Sequence, residues 1–281
     1  MSEFGISFNK AFGQNFLINE AVPRRIAEEC GAGKDDCILE IGPGIGTLTR
    51  ELCARYKKVV AVEIDKGLIP VLAKTTADFD NVTIINSDIL KTDLDELYHT
   101  YFDGDNVTVC ANLPYYITSP ILMKLIESGI KFDNITVMVQ KEVAQRLASE
   151  PKSEEYGALT ATVRRYADVT RLFGVNAGSF MPAPKVDSAV VRISPHKEKT
   201  YSVYDENIMT KVIRGAFAQR RKNLANSLVT EFSDIGKKQL EEILLSCGFK
   251  SGVRGEELDT DGYANIANAI YTYRKGLKND K

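Results

Sequence analysis

The sequence predicts an α/β fold: a mostly parallel β-sheet covered by helices on both faces, followed by a small all-helical domain. Two observations along the 281 residues support this prediction. The first two-thirds of the chain alternates short apolar runs with amphipathic stretches, a pattern typical of parallel sheets. From Tyr204 onward, apolar residues recur at intervals of three and four, which is the period of amphipathic helices.

Seven apolar runs have the length and composition of β-strands, and the stretches between them are typical of helices. The predicted strands cover 37–42, 58–64, 82–87, 107–111, 134–139, 169–175 and 188–193. A helix near 157–166 precedes the last two strands. The polar segment 195–200 is typical of a linker, so we predict one domain over 1–200 and a helical domain over 201–281.

The first predicted strand leads into a glycine-rich turn that suits a nucleoside-containing ligand. Gly42, Gly44 and Gly46 have G-x-G-x-G spacing, and glycine permits both unusual backbone angles and close approach of a ligand. The dinucleotide fingerprint G-x-G-x-x-G places its third glycine inside the following helix, whereas this chain has Thr47 there. The shorter spacing favours a nucleoside without a pyrophosphate, bound to a Rossmann-like sheet. Glu40, in the strand itself, is a further candidate contact.

Two more strands are followed by acidic residues that could recognise such a ligand. Glu63 lies 17 residues after Gly46, at a strand tip where a carboxylate can accept both ribose hydroxyls. Asp88 follows the third strand and could accept the amine of an adenine. Either acid alone is more commonly a solvated strand-end carboxylate, but their order along the chain favours a site. Their neighbours Ile64 and Ile89 are included as candidate ligand contacts.

The fourth strand ends in Asn112-Leu113-Pro114-Tyr115, a sequence that could activate an aromatic amine. The exocyclic amine of adenine is a poor nucleophile because its lone pair is delocalised into the ring. The Asn112 side-chain oxygen and the Leu113 carbonyl could accept the two N–H bonds and draw that pair back onto nitrogen. Pro114 fixes the backbone, and Tyr115 offers a flat face for stacking. Asn-x-Pro is also ordinary turn chemistry, so the prediction depends on the accompanying motifs.

In this order the motifs resemble the S-adenosylmethionine-dependent methyltransferases, and more narrowly the ribosomal small-subunit RNA adenine dimethyltransferases. The resemblance extends from about residue 8 to about residue 270. Besides the glycine turn, it is carried by segments 13–17, 112–120, 180–188, 220–224 and 254–258. It implies a seven-stranded sheet with an antiparallel edge and S-adenosylmethionine as the cofactor. It also implies dimethylation of the N6 amines of two adjacent adenosines, in a loop near the 3′ end of small-subunit ribosomal RNA.

The same resemblance assigns roles to individual residues. It implies cofactor contacts at Gln14, Asn15, Leu17, Gly42, Glu63, Asp88 and Asn112. It implies contacts with the target base at Asn112, Leu113, Tyr115 and Phe180. From its sequence alone, Phe180 would be a core aromatic, but its place before Pro182 and Pro184 favours a rigid loop.

The sequence leaves three other functions open. Large-subunit RNA methyltransferases of the macrolide-resistance type share the glycine turn and a similar tetrapeptide, although segments 116–120 and 254–258 favour the small-subunit enzymes. A ribosome-assembly factor that acts mainly by binding could keep the same fold. A DNA adenine methyltransferase would need a target-recognition domain, for which the helical part of about 80 residues is small.

The charge distribution indicates RNA binding by the C-terminal part. Residues 185–281 hold 17 Lys and Arg against 13 Asp and Glu, whereas residues 1–184 hold 19 against 25. The densest basic point is Arg220-Arg221-Lys222, which we predict to contact RNA, although a solvated helix face would look similar. The partner implied is the small ribosomal subunit or its precursor.

Other features exclude several classes of protein. The five cysteines are scattered without a C-x-x-C, and there are two histidines, so we expect neither a zinc site nor a histidine-based triad. Cys37, Cys53 and Cys110 fall in apolar elements, which indicates core positions. No apolar run approaches the roughly 20 residues needed to cross a bilayer. The first residues have neither a basic nor an apolar region of the kind found in signal peptides, so we expect no secretory signal. We expect a cytoplasmic protein, and the resemblance favours a monomer.

Overall fold

The computed structural model describes residues 15–219 and 222–279, and its contacts divide the chain into two compact units. Of the described residues, one unit comprises those up to Gln145 together with Asp168–Pro195, and the other comprises Arg146–Ala167 together with those from His196 onward. Our prediction assigned 146–167 to the first domain. In the structure this segment groups with the helical unit, because its helix packs there and Arg165 pairs with Glu206 at 2.5 Å.

Nine strands lie in the described part of the chain. They are β1 (Phe16–Leu17), β2 (Cys37–Ile41), β3 (Lys58–Glu63), β4 (Val82–Asn86), β5 (Val107–Asn112), β6 (Asn134–Gln140), β7 (Ala167–Val175), β8 (Phe180–Met181) and β9 (Ser188–Pro195). Seven of them form one sheet in the order β4-β3-β2-β5-β6-β9-β7. Five neighbouring strands of this order, β4, β3, β2, β5 and β6, are parallel to one another, and β9 is antiparallel to β6. The predicted fold class is therefore confirmed.

Eleven helices accompany these strands in the described residues. They are α1 (Ala21–Glu29), α2 (Thr47–Cys53), α3 (Ile69–Thr75), α4 (Leu94–Tyr101), α5 (Thr118–Glu127), α6 (Lys141–Leu147), α7 (Ala158–Arg164), α8 (Glu206–Ala218), α9 (Leu224–Leu228), α10 (Lys237–Ser246) and α11 (Thr260–Asn279). None of the helices within 15–219 and 222–279 combines the length and apolarity that a membrane span requires.

The central strands form because they are apolar along their whole length. Every residue of β2 is buried, as are the residues of β5 up to Ala111. Strands covered on both faces lose the alternation of half-exposed strands and become continuous apolar runs. The predicted core positions Cys37, Cys53 and Cys110 are buried thiols without a disulfide, which confirms their assignment to the core.

The order of the strands places a crevice at one edge of the sheet. Strand β2 pairs in parallel with β3 on one side and with β5 on the other. The chain therefore leaves β2 in one direction and later returns on its other side. At such a switch point the loops after neighbouring strands separate, and ligands bind at the carboxyl ends of the strands.

A second, two-stranded pairing was not predicted. Strand β1 runs antiparallel to β8, with Phe16 opposite Met181 and Leu17 opposite Phe180. The N–H of Ile18 extends the ladder by donating to the carbonyl of Ser179 at 2.9 Å. The pairing holds Phe16 and Leu17 against the segment that precedes β9.

The helical unit has its own core. Its central buried side chains are Met209, Val212, Leu228, Leu240, Leu244, Ile266 and Ile270. Segment 254–258 is one of those that carry the family resemblance. Its Gly255 packs so closely that a Cβ there would lie 2.3 Å from the carbonyl oxygen of Ala216. The Tyr263 hydroxyl donates to the Gly255 carbonyl at 2.8 Å. This segment therefore has a packing role inside the unit.

Candidate active site

The glycine turn forms one wall of the crevice. Gly42, Gly44 and Gly46 have φ values of 68°, 61° and 89°, in the left-handed region that residues with a Cβ rarely adopt. A Cβ on Gly42 would lie 4.0 Å from the backbone oxygen of Asn112. The turn after β2 and the tetrapeptide after β5 are therefore adjacent, as expected from the parallel pairing of their strands.

Glu63, the last residue of β3, faces this turn from the neighbouring strand. Its Oε2 accepts the Gly44 N–H at 3.0 Å and its Oε1 accepts the Asp65 N–H at 2.8 Å. The side chain is buried, and burial raises the pKa of Glu63 although the two backbone donors oppose the shift. Both oxygens keep further lone pairs, so the carboxylate can accept hydroxyl groups from a ligand.

Glu40 is a second carboxyl group in the crevice, and one of its oxygens lacks a hydrogen-bond partner among the described residues. It lies in β2 and is 1% exposed, and its Oε2 has no hydrogen-bond partner among the described residues. Burial, with a smaller contribution from the nearby Glu63 charge, raises the pKa of Glu40 to about 8. The carboxyl group is therefore largely neutral at pH 7, and a cationic group bound beside it would favour its ionised form.

Asn112 ends β5 with its amide held in one orientation. Its Nδ2 donates to the carbonyl of Asn15 at 3.4 Å, which leaves Oδ1 as the atom able to accept from a ligand. Leu113 is anchored through its N–H, which donates to the Met138 carbonyl at 3.3 Å. Pro114 then begins a short 3-10 turn over Tyr115–Ile117, and α5 follows directly.

Most of the predicted site residues line a single cleft. Eleven of them do so: Asn15, Leu17, Glu40, Gly42, Gly44, Glu63, Ile64, Asn112, Leu113, Pro114 and Tyr115. They come from four separate parts of the chain: the β1 segment and the carboxyl ends of β2, β3 and β5. The structure therefore brings most of the predicted cofactor residues and most of the predicted base-contacting residues into one cleft.

Four predicted residues do not line this cleft. Gly46 caps α2, where a Cβ would lie 2.7 Å from Thr75 Oγ1, so packing as well as its positive φ requires glycine there. Asp88 Oδ1 accepts the Leu90 N–H at 3.0 Å within the loop after β4, and Ile89 is buried beside it.

Phe180 is the fourth of these residues. It is 3% exposed and belongs to the same buried cluster as Leu17, Val175 and Val190. The expectation of a loop at this position is not met, because Phe180 begins strand β8, which pairs with β1. Its contact with a base stays a prediction.

Three predicted residues, Gln14, Arg220 and Arg221, lie outside the described part of the chain. Lys222 is described and exposed in the helical unit.

Six residues of the cleft were missed by the sequence analysis: Phe16, Pro43, Ile45, Thr47, Leu48 and Leu68. Pro43 and Ile45 lie between the predicted glycines, so the motif itself carried a signal for them. Phe16 falls within the family-like segment 13–17, and its ring would lie 3.1 Å from a Cβ on Gly44. Leu68 had no signal, because an apolar residue before a helix is typical of the core.

Comparison with known proteins identifies the family. The family model described as ribosomal RNA adenine dimethylase matches residues 5–268. The chain belongs to this family.

Individual relatives support the same assignment over nearly their full lengths. A ribosomal RNA small subunit methyltransferase A from Lachnoclostridium phytofermentans is 47% identical over 273 residues, covering 96% of this chain and 94% of the relative. A protein of the same name from Bacillus cereus is 42% identical over 277 residues, covering 98% and 95%.

Solved structures agree with this adenine dimethylase assignment. A dimethyladenosine transferase from Plasmodium falciparum has a TM-score of 0.76 and 26% identity, covering 93% of this chain and 98% of that one. The 23S rRNA methyltransferase ErmE has a TM-score of 0.68 and 25% identity, covering 92% and 100%. The predicted family and enzyme class, an S-adenosylmethionine-dependent ribosomal RNA adenine methyltransferase, are therefore confirmed.

Proposed function

We propose that this enzyme transfers methyl groups from S-adenosylmethionine to the N6 amines of adenosines in small-subunit ribosomal RNA, and that it adds two to each. The observation that carries the proposal is the orientation of Asn112, whose Nδ2 donates to Asn15 and whose Oδ1 is left to accept. The small-subunit substrate is favoured over the large-subunit one because the relatives at 42–47% identity are named for the small subunit, whereas the 23S rRNA methyltransferase ErmE is 25% identical.

The cleft fits S-adenosylmethionine in three respects. Glu63, fixed by two backbone donors, would accept the ribose hydroxyls. The glycine turn lets a ligand approach the backbone between Gly42 and Gly44. Glu40 Oε2, which lacks a protein partner among the described residues, would face a cofactor with positive charge. When bound, S-adenosylmethionine supplies an electrophilic methyl group on its sulfonium.

The residues after β5 would hold the adenine. Its ring would stack on Tyr115, and its amine would donate to Asn112 Oδ1 and to the Leu113 carbonyl. When the two oxygens accept hydrogen bonds from the two N–H groups, the lone pair is localised on nitrogen. Holding the amine in place also removes much of the entropic cost of the reaction. The methylated amine is acidic enough to lose its proton to water, so these residues need not include a strong base.

The RNA partner would be recognised outside the cleft as well. We assign this role to the sequence cluster Arg220-Arg221-Lys222, whose charge suits RNA phosphates. Lys222, the member that the structure describes, is exposed. The target adenosine would leave its stack to reach the cleft, and this costs less in a loop than in a duplex. The substrate would be the small subunit or its precursor, met by a monomer in the cytoplasm.

The proposal is tested by supplying labelled S-adenosylmethionine and each purified ribosomal subunit in turn. We expect label in the small-subunit RNA, recovered as N6,N6-dimethyladenosine when the digested RNA is analysed by mass spectrometry. The Asn112→Ala variant serves as the matched control and should leave both subunits essentially unlabelled in the time that the wild-type enzyme needs to finish the reaction. Label confined to large-subunit RNA would instead support an activity like that of ErmE.

A further inference from the structure

One hydrogen bond between side chains joins the tetrapeptide to strand β9, which is separated from β5 in the sheet by β6. The hydroxyl groups of Tyr115 and Ser188 lie 2.6 Å apart. Ser188 is the first residue of β9 and is fully buried. It thus lies in a different segment of the chain from the glycine turn and the tetrapeptide, and the cleft lining does not include it.

The backbone around Ser188 is firmly held. The Asp187 carbonyl accepts the N–H of Lys141 at 2.9 Å, and Asp187 Oδ1 accepts the N–H of Ala177 at 3.0 Å. Ser188 itself lies opposite Gln140 in the antiparallel ladder of β6 and β9. A hydroxyl group on this backbone is a fixed point against which another side chain can be set.

Tyr115 needs such a fixed point. It begins a single 3-10 turn, and its ring torsion has a broad energy minimum. A hydrogen bond at the hydroxyl end holds the ring at two places, its Cβ and its oxygen. Burial raises the pKa of Tyr115, so the phenol keeps the proton that this hydrogen bond can use at neutral pH.

We infer that Ser188 is a positioning residue, which holds the ring of Tyr115 at the angle needed to stack on the target adenine. The inference rests on the proposed function, in which Tyr115 touches the base. Ser188 acts through Tyr115 and makes no contact with the substrate. Small displacements of a positioned group can reduce rates strongly, because the reacting atoms must be aligned before the chemical step.

The test is a double-mutant cycle with Tyr115→Phe and Ser188→Ala. Each single variant removes one partner of the hydrogen bond, and each should lower kcat/KM for small-subunit RNA by about five- to ten-fold, the worth of one such bond. The double variant should lose no more than either single variant, because only one interaction is present to be lost. The dissociation constant for S-adenosylmethionine should stay within two-fold of the wild-type value.

Ser194→Ala is the matched control. Ser194 lies on the same strand and also donates to a side chain, Asn134 Oδ1, at 2.8 Å, but it is remote from the tetrapeptide in the ladder. It should leave kcat/KM unchanged. If Ser194→Ala reduces kcat/KM as much as Ser188→Ala, or if the effects of Tyr115→Phe and Ser188→Ala add, the positioning role is wrong.

A readout that does not depend on activity separates this inference from the proposed function. In protein labelled with ¹³C-tyrosine, the ring signal of Tyr115 is identified by its loss in Tyr115→Phe. Ser188→Ala should increase the motion of that ring, measured by relaxation, and Ser194→Ala should not. An unchanged ring would contradict the inference, whereas a wild-type enzyme that labels no small-subunit RNA would contradict the proposed function.

Discussion

The Gly44 N–H donates to Glu63 Oε2 at 3.0 Å, and this bond joins the turn after β2 to the tip of β3. Glu63 therefore shapes the glycine turn as well as offering oxygens to a ligand. Since its other oxygen accepts from Asp65, the carboxylate is held before any ligand arrives. Preorganisation of this kind reduces the ordering cost of binding.

Replacing Glu63 should therefore weaken cofactor binding by two routes. Glu63→Ala removes the ribose acceptor and releases the Gly44 amide, so we expect the dissociation constant for S-adenosylmethionine to rise by more than about ten-fold, as for loss of hydrogen bonds to a charged group. Glu63→Gln should also weaken binding, because an amide has one oxygen for two backbone donors. Calorimetry measures both constants. Glu96→Gln, at an exposed site on α4, is the control, and an unaltered constant in Glu63→Ala would contradict the ribose role.

Asn112→Ala should separate catalysis from cofactor binding. The variant loses the oxygen proposed to accept from the adenine amine, and removal of one such preorganised group costs about 10²–10³ in kcat. Cofactor affinity should change by no more than a few-fold, because Glu63 and the glycine turn remain. Single-turnover methylation and calorimetry together check this. Turnover at the wild-type rate would remove Asn112 from the chemistry.

The fold was largely predictable because its main elements carry local patterns. The central strands are continuous apolar runs, and the helices after them are amphipathic, so their positions agree with the structure to within one or two residues at most boundaries. The pairing of β1 with β8 was not predictable, because two residues show no periodicity. The grouping of 146–167 with the helical unit depends on tertiary contacts such as Arg165–Glu206, which no local pattern reveals.

The site was predictable where polar residues or glycines end strands. Polar residues and glycines directly after apolar strands are unusual in a core, which is why the sequence indicated Glu63, Gly44 and Asn112. Apolar residues of the cleft, such as Leu68, cannot be told from core residues by type. Phe180 shows the converse: its place before Pro182 and Pro184 favoured a rigid loop, but in the structure it begins strand β8 and is buried.

Charge reversal at Arg220, Arg221 and Lys222 should weaken RNA binding and reduce its salt dependence. Each lost phosphate contact reduces the magnitude of the slope of log K against log salt by about 0.7–0.9, so loss of three contacts would reduce it by about two to three. Filter binding to small-subunit RNA across salt concentrations measures this. The control variant reverses the charge at Lys238 and Lys250, two exposed lysines of the helical unit. An identical slope in the two variants would show that this cluster has no special role.

Glu40 should make the stability of the protein depend on pH in a defined direction. Its pKa is raised from the ordinary 4.5 to about 8, so between these values the folded state holds a proton that the unfolded state has released. The contribution of the protonated Glu40 carboxyl group to the free energy of unfolding is complete below about pH 4.5, and it is lost as the pH rises through about 8. Relative to Glu40→Gln, which does not titrate, the free energy of unfolding should fall by up to about 1.4 kcal/mol per pH unit in this window.

Urea unfolding of wild type and Glu40→Gln at pH 5.5, 6.5 and 7.5 measures that difference, and Glu96→Gln serves as the exposed control. A second measurement uses the cofactor. If S-adenosylmethionine places positive charge beside Glu40, the carboxyl group should ionise on binding and release up to one proton at pH 7. Calorimetry in buffers of different ionisation enthalpy detects this release, and Glu40→Gln should lack it. A stability difference that stays constant with pH would mean that Glu40 is already ionised in the folded protein.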